Sequence, residues 1–599
     1  MQLNGSMLNG AALDGSSGAR TPVLAVAGQA YVWAVRLLVG GVDMSANLVG
    51  VVEVDREEGA AGLATFSLHV AQAVSPADWI GRPVSIDYLS TSSSGNLDTR
   101  RFTGRVTLPS WAAQQRILTC ECSDQLQQRV EAMAQADIDA LLPSSWSVDV
   151  FDPLEGRSRW DYAGERLATR PASLDCSPHG ALRLTSWYAD PVAHFVFGSG
   201  TTLDESVDIE LADLSRQTNV VEIEYSYRFS RLWQLNEDYS WAHPNLGGFT
   251  GEQGFCLWRG DSTELPDIEM IMSAASAGGQ AMLSTATYQR LPLTGVYCDP
   301  PAAWVNTYPD LLLAAAWTGA RRWVQPVTET YSLRLEADSS VAQSGEIVSR
   351  ESHGFSIDSE AAAAWESTPF GMATPQEVAN VVGGTGPSWS DGSGFGTGAP
   401  DDGVHGFADH GDSVRRAAAA QCLFDRAVAS IVAAHRATTV SFAVPTSLCT
   451  GVDLVHTARL EDQGVRAQGK VRRIVDRLDL RTGAALTTLS IAVMRGGGTA
   501  SDPLALPSAP IQPPAEGSGF GVAGLPTQLG GRSTSPPYDP DLLGFSGNYS
   551  TVDNNVGQER YPRRMKIAAQ EIAAELRDEL VAKAQATYRL AIPNDLLEL

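Results

Sequence analysis

The sequence is short of basic residues relative to acidic ones. Its 599 residues include 43 Lys and Arg against 69 Asp and Glu, which gives a formal net charge of −26. Tight binding of nucleic acid needs clusters of Lys and Arg on the phosphates. The composition therefore argues against such binding, whereas an acidic surface is one that DNA passes without sticking.

Long apolar runs and paired-cysteine motifs are also lacking. No window approaches the ~20 apolar residues of a membrane span. The first 15 residues lack the basic and apolar parts of a secretory signal, so we expect a soluble protein made in a cytoplasm. None of the cysteines forms a C-x-x-C pair, which excludes a zinc ribbon or a thioredoxin-like motif; they are Cys120, Cys122, Cys176, Cys256, Cys298, Cys422 and Cys449. We expect most to be reduced core residues.

Turn formers are abundant instead, with 56 Gly and 32 Pro. A chain this long holds three or four domains, because single cores stop growing at roughly 250–300 residues. Short alternating or apolar runs between Gly, Asp and Ser predict strands over 22–145 and again over 438–495. Residues 413–437 predict a helix, because Ala, Leu and Ile recur there at spacings of three and four.

Two stretches far apart in the chain share one pattern. Residues 104–106 read Gly-Arg-Val and 469–471 read Gly-Lys-Val; each opens a strand, and a strand beginning Leu-Thr follows. A Gly-led strand precedes each, from Gly81 and from Gly451. The order predicts two copies of one small antiparallel barrel or sandwich. The alternative is that any two hairpins look alike.

These stretches resemble the tail hub, or baseplate hub, proteins of tailed bacteriophages and tail-like particles. The resemblance rests on VVEVDREEGAAGLATFSLHV, WIGRPVSIDY, FTGRV and LTCECSDQLQQR in the first half, and on GKVRRIVDRLDLRTGAALTTLSIAV in the second. It covers about a third of the chain and contains no catalytic signature. The repeated Leu-Asn-Gly and Leu-Asp-Gly of residues 3–15 also look like phage tail proteins, although such an arm is equally a floppy terminus.

The resemblance implies a structural virion protein and no enzyme. In such hubs two barrels per chain, in a homotrimer, make a pseudo-sixfold ring, and closed rings need repeated complementary surfaces. The ring joins the sixfold tail tube and distal tail proteins to a threefold tail tip or central fibre, and DNA crosses its acidic lumen during genome ejection without specific binding. The protein would lie at the tail tip or baseplate of a virion assembled in a bacterial cytoplasm.

The predicted fold class is mainly β, or α+β: two tandem antiparallel barrels or sandwiches with an inserted β-rich middle region and a C-terminal helix. The predicted segments are an arm (1–21), a first barrel (22–145), an inserted middle region (146–412), a helix with a second barrel (413–495), a Pro/Gly-rich linker (496–561), and a C-terminal amphipathic helix and tail (562–599). The helix would reach a neighbouring tip or fibre protein, or pack along a neighbouring subunit.

Candidate sites are weak, and we predict no catalytic, cofactor or metal residue. Acidic and imidazole side chains crowd residues 401–412, but their spacing fits no known loop, so a solvated loop is favoured over a metal site; they are Asp401, Asp402, His405, Asp409, His410 and Asp412. An iron–sulfur cluster needs convergent thiolates, and only Cys120 and Cys122 are neighbours. These two point to one face of a strand and are interpreted as barrel wall.

Two other functional classes stay open. The Trp- and Tyr-rich block 146–355 is either a glycan-gripping surface, which would make the chain a receptor-binding adhesin, or aromatic core and interface, which is favoured. A tail-associated cell-wall hydrolase would need a pair of facing carboxylates, and no motif isolates one. Cys176 lies near His179 in sequence without a family signature.

Overall fold

The first barrel of the computed structural model is an antiparallel sheet. The model describes residues 22–25, 32–92, 95–153, 155–213, 215, 217–244, 264–282, 287–290, 294–296, 303–305, 310–357, 376–377, 406–508, 523–549, 559–569 and 571–599. The predicted arm lies outside these residues. The strands of the first barrel are β2 Val32–Val39, β3 Val42–Asp43, β4 Leu48–Glu57, β5 Leu63–His69, β6 Pro83–Ser92, β7 Gly95–Ala112 and β8 Ile117–Ser123; the preceding β1 Val23–Ala25 pairs in parallel with Phe195–Phe197 instead. Strands β2 to β8 pair in the order β4-β5-β8-β7-β6-β2-β3 around one apolar core.

A small helical layer follows the first barrel. Its elements are α1 Leu126–Glu131, α2 Gln135–Leu141, α3 Arg159–Ala168, β9 Ala172–Cys176 and β10 Leu182–Ser186. The break between α1 and α2, where Ala134 is extended, lets Val130 and Ile138 enter the same core. Two short strands come next, β11 Phe195–Phe197 and β12 Asp208–Glu210.

A long hairpin forms the centre of the middle region. Its strands are β13 Val220–Ala242 and β18 Leu312–Glu336, which run antiparallel with Val220 opposite Glu336. The surrounding elements are α4 Ile268–Ala277, β14 Ala281–Met282, β15 Thr287–Arg290, β16 Thr294–Val296, β17 Ala303–Val305, α5 Asp338–Ser344, β19 Val348–Ser356, β20 Gln376–Glu377 and β21 Gly406–His410.

The helix predicted over 413–437 is confirmed as α6 Ser413–His435. Asp412 caps it, since its Oδ1 accepts the backbone N–H of Arg415 at 2.8 Å. By length and composition α6 is apolar enough to cross a membrane, but half of its most apolar stretch is buried in the fold. Leu423 and Phe424 pack on the hairpin.

The second barrel contains β22 Thr438–Pro445, β23 Thr457–Asp462, β24 Val465–Asp479 and β25 Ala484–Val493. They pair in the order β22-β25-β24-β23. At the two ends of this order, β12 pairs with β22 and β11 pairs with β23. Strand β24 also pairs with β4, so both barrels belong to one 15-stranded sheet. The mainly β fold class is confirmed. Strands β11 and β12 lie within the predicted middle region, yet they pair with the second barrel.

The C-terminal part differs from the sequence prediction. Its elements are β26 Ala523–Gly524, β27 Thr527–Gly530, β28 Gly544–Asn548, β29 Arg564–Lys566, α7 Ala574–Arg577, β30 Leu580–Arg589 and β31 Leu597–Glu598. A C-terminal helix is present, but it is only the four residues of α7, and the longest element of the expected amphipathic helix is the strand β30. β30 alternates exposed and inward residues and pairs with β18, a tertiary partner that overrides the helix propensity of its alanines.

The expected linker is also partly structured. Strands β27 and β28 lie within 496–561, and Phe545 is buried in the core beneath the long hairpin. Gly544 has a φ of +97°, and a Cβ there would collide with the carbonyl oxygen of Pro526. Glycine and proline therefore permit close backbone packing here, where composition alone indicates an extended connection.

Candidate functional site

The two barrels repeat one meander of strands with one register. In the first, β6, β7 and β8 pair in sequence and β5 covers β8; in the second, β23, β24 and β25 pair in sequence and β22 covers β25. Val106 lies opposite Cys122, and Val471 lies opposite Ile491. In both barrels the register shifts at the residue after this valine. A shared bulge is a specific feature of a sheet, so the repeat extends beyond general hairpin similarity.

The repeated Gly-basic-Val has the same geometry in both copies. A Cβ at Gly104 would collide with the carbonyl oxygen of Ser123, and a Cβ at Gly469 with that of Ala492. The next residue is basic, and its side chain donates a hydrogen bond to a backbone carbonyl just before the start of the neighbouring strand. Arg105 donates to the carbonyl of Gly81, before β6, and Lys470 donates to that of Val455, before β23. Each residue of the motif thus has a structural cause.

The valine of the motif completes the match. The backbone N–H of Val106 donates to the carbonyl of Arg82, and that of Val471 to His456, both at 3.0 Å. Because these acceptors directly follow Gly81 and Val455, the two meanders correspond residue by residue through the motif.

Cys120 and Cys122 belong to the wall of the first barrel. Both are at most 1% exposed, and their register equivalents in the second barrel are the buried Leu489 and Ile491. Opposite Cys120 stands Phe66, and opposite Leu489 stands Phe442. Burial raises the pKa of the Cys120 thiol to about 12, so it stays protonated at neutral pH.

The two barrels meet where β4 pairs with β24. The ladder is antiparallel and runs from Arg473 opposite Glu57 to Asp479 opposite Val51. Arg473 also binds Asp55 through two hydrogen bonds, of 2.6 and 3.0 Å. This junction therefore combines a backbone ladder with a bidentate ion pair on its exposed face.

Beneath the ladder a buried ion pair crosses the junction. Arg101 of β7 donates through Nε to Asp476 of β24 at 2.7 Å, and neither side chain is more than 1% exposed. The hydroxyl of Thr487 donates to the same carboxylate at 2.6 Å. Burial acts to raise the pKa of Asp476, but the charge and hydrogen bonds of Arg101 outweigh it and hold that pKa below its usual value.

A second charged group ties the helical layer to both barrels. Asp453, which precedes β23, accepts from Arg56 of β4 at 2.6 Å and from Arg183 of β10. Arg183 also binds Asp175 at 2.7 Å. Burial opposes ionisation of Asp453, yet Arg183 and Arg56 together lower its pKa. The arrangement fixes three parts of the chain relative to one another and offers no group poised for catalysis.

No protein-family model matches the sequence, and no curated protein matches it. Solved structures similar to the model include the tail protein from Neisseria meningitidis MC58 (10% identity, 77% of this chain and 96% of that one, TM-score 0.31). Another is the 43 kDa tail protein of prophage MuSo2 from Shewanella oneidensis (9% identity, 77% of this chain and 98% of that one, TM-score 0.32). A third is the Francisella PdpA–VgrG complex (8% identity, 78% of this chain and 58% of that one, TM-score 0.26). At such TM-scores the likeness carries no functional argument, which rests instead on the contacts above.

The acidic and imidazole cluster of 401–412 is only partly described. Asp409 binds Arg231 of β13 through Oδ1 and Oδ2, at 2.6 and 3.0 Å. Asp412 caps α6, while Asp401, Asp402 and His405 lie outside the described residues. The described carboxylates thus have structural partners, and within the described part of the chain no group of His, Cys, Asp and Glu is arranged to hold a metal ion.

Cys176 does not have the environment of a nucleophile. Burial raises the pKa of its thiol to about 12. Arg129 donates to its Sγ at 3.3 Å, and the side chain belongs to the core of the helical layer. A thiol of this kind is protonated and enclosed at neutral pH.

Within its described residues, the aromatic block 146–355 supplies core far more than surface. The largest rings of the long hairpin are at most 9% exposed: Trp233, Tyr239, Trp241, Trp317 and Trp323. Trp233 stacks on Trp323 with centroids 5.8 Å apart, and Tyr239 stacks on Trp317. Rings enclosed in this way are not free to stack on a sugar.

Sequence reasoning missed the charged residues of the junction. Arg101 and Asp476 are 375 positions apart, and neither lies in a recognisable motif. The available signal was an Asp in a strand that otherwise alternates apolar residues, Ile474, Asp476 and Leu478, toward the barrel interior. A carboxylate at a core position calls for a buried cation.

Proposed function

We propose that this chain is a structural protein of a phage tail, a hub that assembles as a homotrimer and forms a ring of six related barrels. The observation that carries the proposal is the repeated meander, with its shared bulge and Gly-basic-Val contacts, joined side by side through β4 and β24. Two equivalent modules in one chain give a threefold assembly six similar positions, which suits contact with a sixfold tube.

The proposed ring joins the tail tube and distal tail proteins to the tail tip or central fibre and lines the DNA channel during ejection. The net charge of −26 supports passage of DNA without retention. The tip contact assigned by sequence to a C-terminal helix needs another element, because β30 is occupied in pairing with β18. The role is non-enzymatic, and the buried aromatic rings weigh against the adhesin.

Mass measurement of the full chain in solution, by multi-angle light scattering and native mass spectrometry, tests the proposal. We expect a particle of three chains. Electron microscopy of the intact virion should place that particle on the tail axis, directly below the tube. A monomer at micromolar concentration, or a peripheral position in the virion, would contradict the hub.

A further inference from the structure

The two barrels differ at one strand position that, among the described residues, is paired in the second barrel and unpaired in the first. Residues 473–479 of β24 have β25 on one side and β4 on the other. By register, their counterparts in β7 begin at Leu108. Residues 108–112 pair with β8, and within the described chain no strand and no backbone hydrogen bond occupies their other side.

The second barrel carries an unused counterpart of β4. In the first barrel, Val54 lies opposite Ala64, and Ala64 lies opposite Cys122. In the second barrel, Ile209 lies opposite Val440, and Val440 lies opposite Ile491. Because Cys122 and Ile491 are equivalent, Ile209 of β12 occupies the position of Val54 of β4. The flanking residues agree, since Glu53-Val-Asp in β4 corresponds to Asp208-Ile-Glu in β12.

One free edge exposes an apolar side chain at a position that the paired edge buries. Leu211 corresponds to Arg56, which is 4% exposed at the junction, yet Leu211 is 61% exposed. On the other edge Leu108 is 59% exposed. β12 pairs with β22 alone among the described strands. An unpaired edge with exposed leucines is a ready site for addition of another strand.

We infer that β12 of one chain pairs antiparallel with residues 108–112 of a second copy, repeating between chains the junction that β4 and β24 make within one chain. This inference rests on the proposed ring and names the surfaces that close it. The register places Ser110 opposite Glu210 and Leu211 opposite Pro109. Because Pro109 has no backbone N–H, the ladder relies on the other backbone groups of the two edges. The contact is heterologous, and repetition of one rotation closes a ring.

Paired cysteines test the register. Directly opposed strand residues have Cα atoms ~4.5–5.5 Å apart, within reach of a disulfide. We expect Ser110→Cys combined with Glu210→Cys to give, on mild oxidation, a non-reducing gel ladder that ends at three chains. Each single variant should give no ladder. Val475→Cys with Asp55→Cys, at the intrachain junction, should cross-link only within one chain.

Mass measurement of the same samples distinguishes failure of the proposed strand pairing from failure of the proposed trimeric hub. Trimers that form no Ser110–Glu210 cross-link would overturn this interface and leave the hub standing. A monomer would overturn both. A ladder continuing beyond three chains would support the strand pairing and contradict the closed trimer.

Charge substitutions test the surface independently. Leu211→Asp should raise the trimer dissociation constant at least ~10-fold, because it would place a carboxylate at a position whose counterpart in the paired junction, Arg56, is 4% exposed. Val42→Asp is the matched control, since Val42 is 60% exposed on β3 and should assemble as the wild type does. Unchanged assembly of Leu211→Asp would overturn the inference.

Discussion

Arg101 and Asp476 form an enclosed ion pair that joins the first barrel to the second. Removal of one partner leaves a charge without a counter-ion in a site that excludes water. We expect Arg101→Met to lower the free energy of unfolding by about 3–5 kcal/mol. The measurement is the denaturant midpoint of unfolding, followed by fluorescence and by circular dichroism.

The exposed pair of Arg473 and Asp55 is the matched control. It crosses the same junction, but Arg473 is 46% exposed, and Arg473→Met should cost no more than about 1 kcal/mol. The double variant Arg101→Met with Asp476→Leu should recover most of the lost stability, because no unpaired charge remains. Equal losses for the two arginine variants would contradict the structural account.

The backbone approach at Gly469 predicts a steric effect. A Cβ there would meet the carbonyl group of Ala492 on the neighbouring strand, and backbone cannot give way as a flexible side chain can. We expect Gly469→Ala to cost about 1–3 kcal/mol. Gly164→Ala is the control: it lies in α3 with open space around it, and it should gain about 0.5–1 kcal/mol. Thermal unfolding of both variants measures the difference.

The described thiols, all of them buried, should be unreactive in the folded protein. Burial raises the pKa of Cys120, Cys176 and Cys422 to about 12 and that of Cys449 to about 11. In a Cys256→Ser/Cys298→Ser background at pH 8, a thiol reagent should react only after denaturant is added. Rapid labelling of the native background variant, located by peptide mapping to Cys120 or Cys122, would contradict the wall assignment.

His456 predicts a loss of stability in acid. Burial and the charge of nearby His194 lower its pKa to about 4, from an unperturbed 6.5. The unfolded chain therefore takes up this proton first, and the contribution of His456 is present above pH 6.5 and lost as the pH falls to 4. In His456→Asn, the Asn Oδ1 can accept the backbone N–H that Asp453 now donates to Nδ1 of His456. This variant should lose less stability between pH 6.5 and pH 4 than the wild type, as measured by urea unfolding. An unchanged slope would contradict this.

Asp595 predicts the opposite slope in nearly the same range. Burial raises its pKa to about 6, from an unperturbed 3.8. The folded chain takes up this proton first, so the contribution is present below pH 3.8 and lost as the pH rises through 6. Asp595→Asn should therefore raise stability at pH 7 by up to about 3 kcal/mol, with little change at pH 4. A gain of equal size at both pH values would show that titration is not the cause.

The sequence predicted the elements whose pattern is local and failed where partners are distant. Helix α6 has a long apolar period and a capping Asp412, and both are visible in the sequence. β30 is Ala-rich and compatible with helix or strand until β18 is known. β12 has only three residues, and its role follows from its partner β22. The Arg101–Asp476 pair depends wholly on which strands meet.

The segment between β12 and β22, residues 211–437, has a consequence for how such a chain can change. Its two ends meet, because the backbone N–H of Ala212 after β12 donates to the Thr438 hydroxyl at 3.1 Å. In the first barrel the equivalent strands, β4 and β5, are linked by a short hairpin turn. The barrel sheet therefore has the same local geometry whether this gap is spanned by a few residues or by the long hairpin and α6. A change in the length of this segment thus need not disturb the pairing of the barrel sheet.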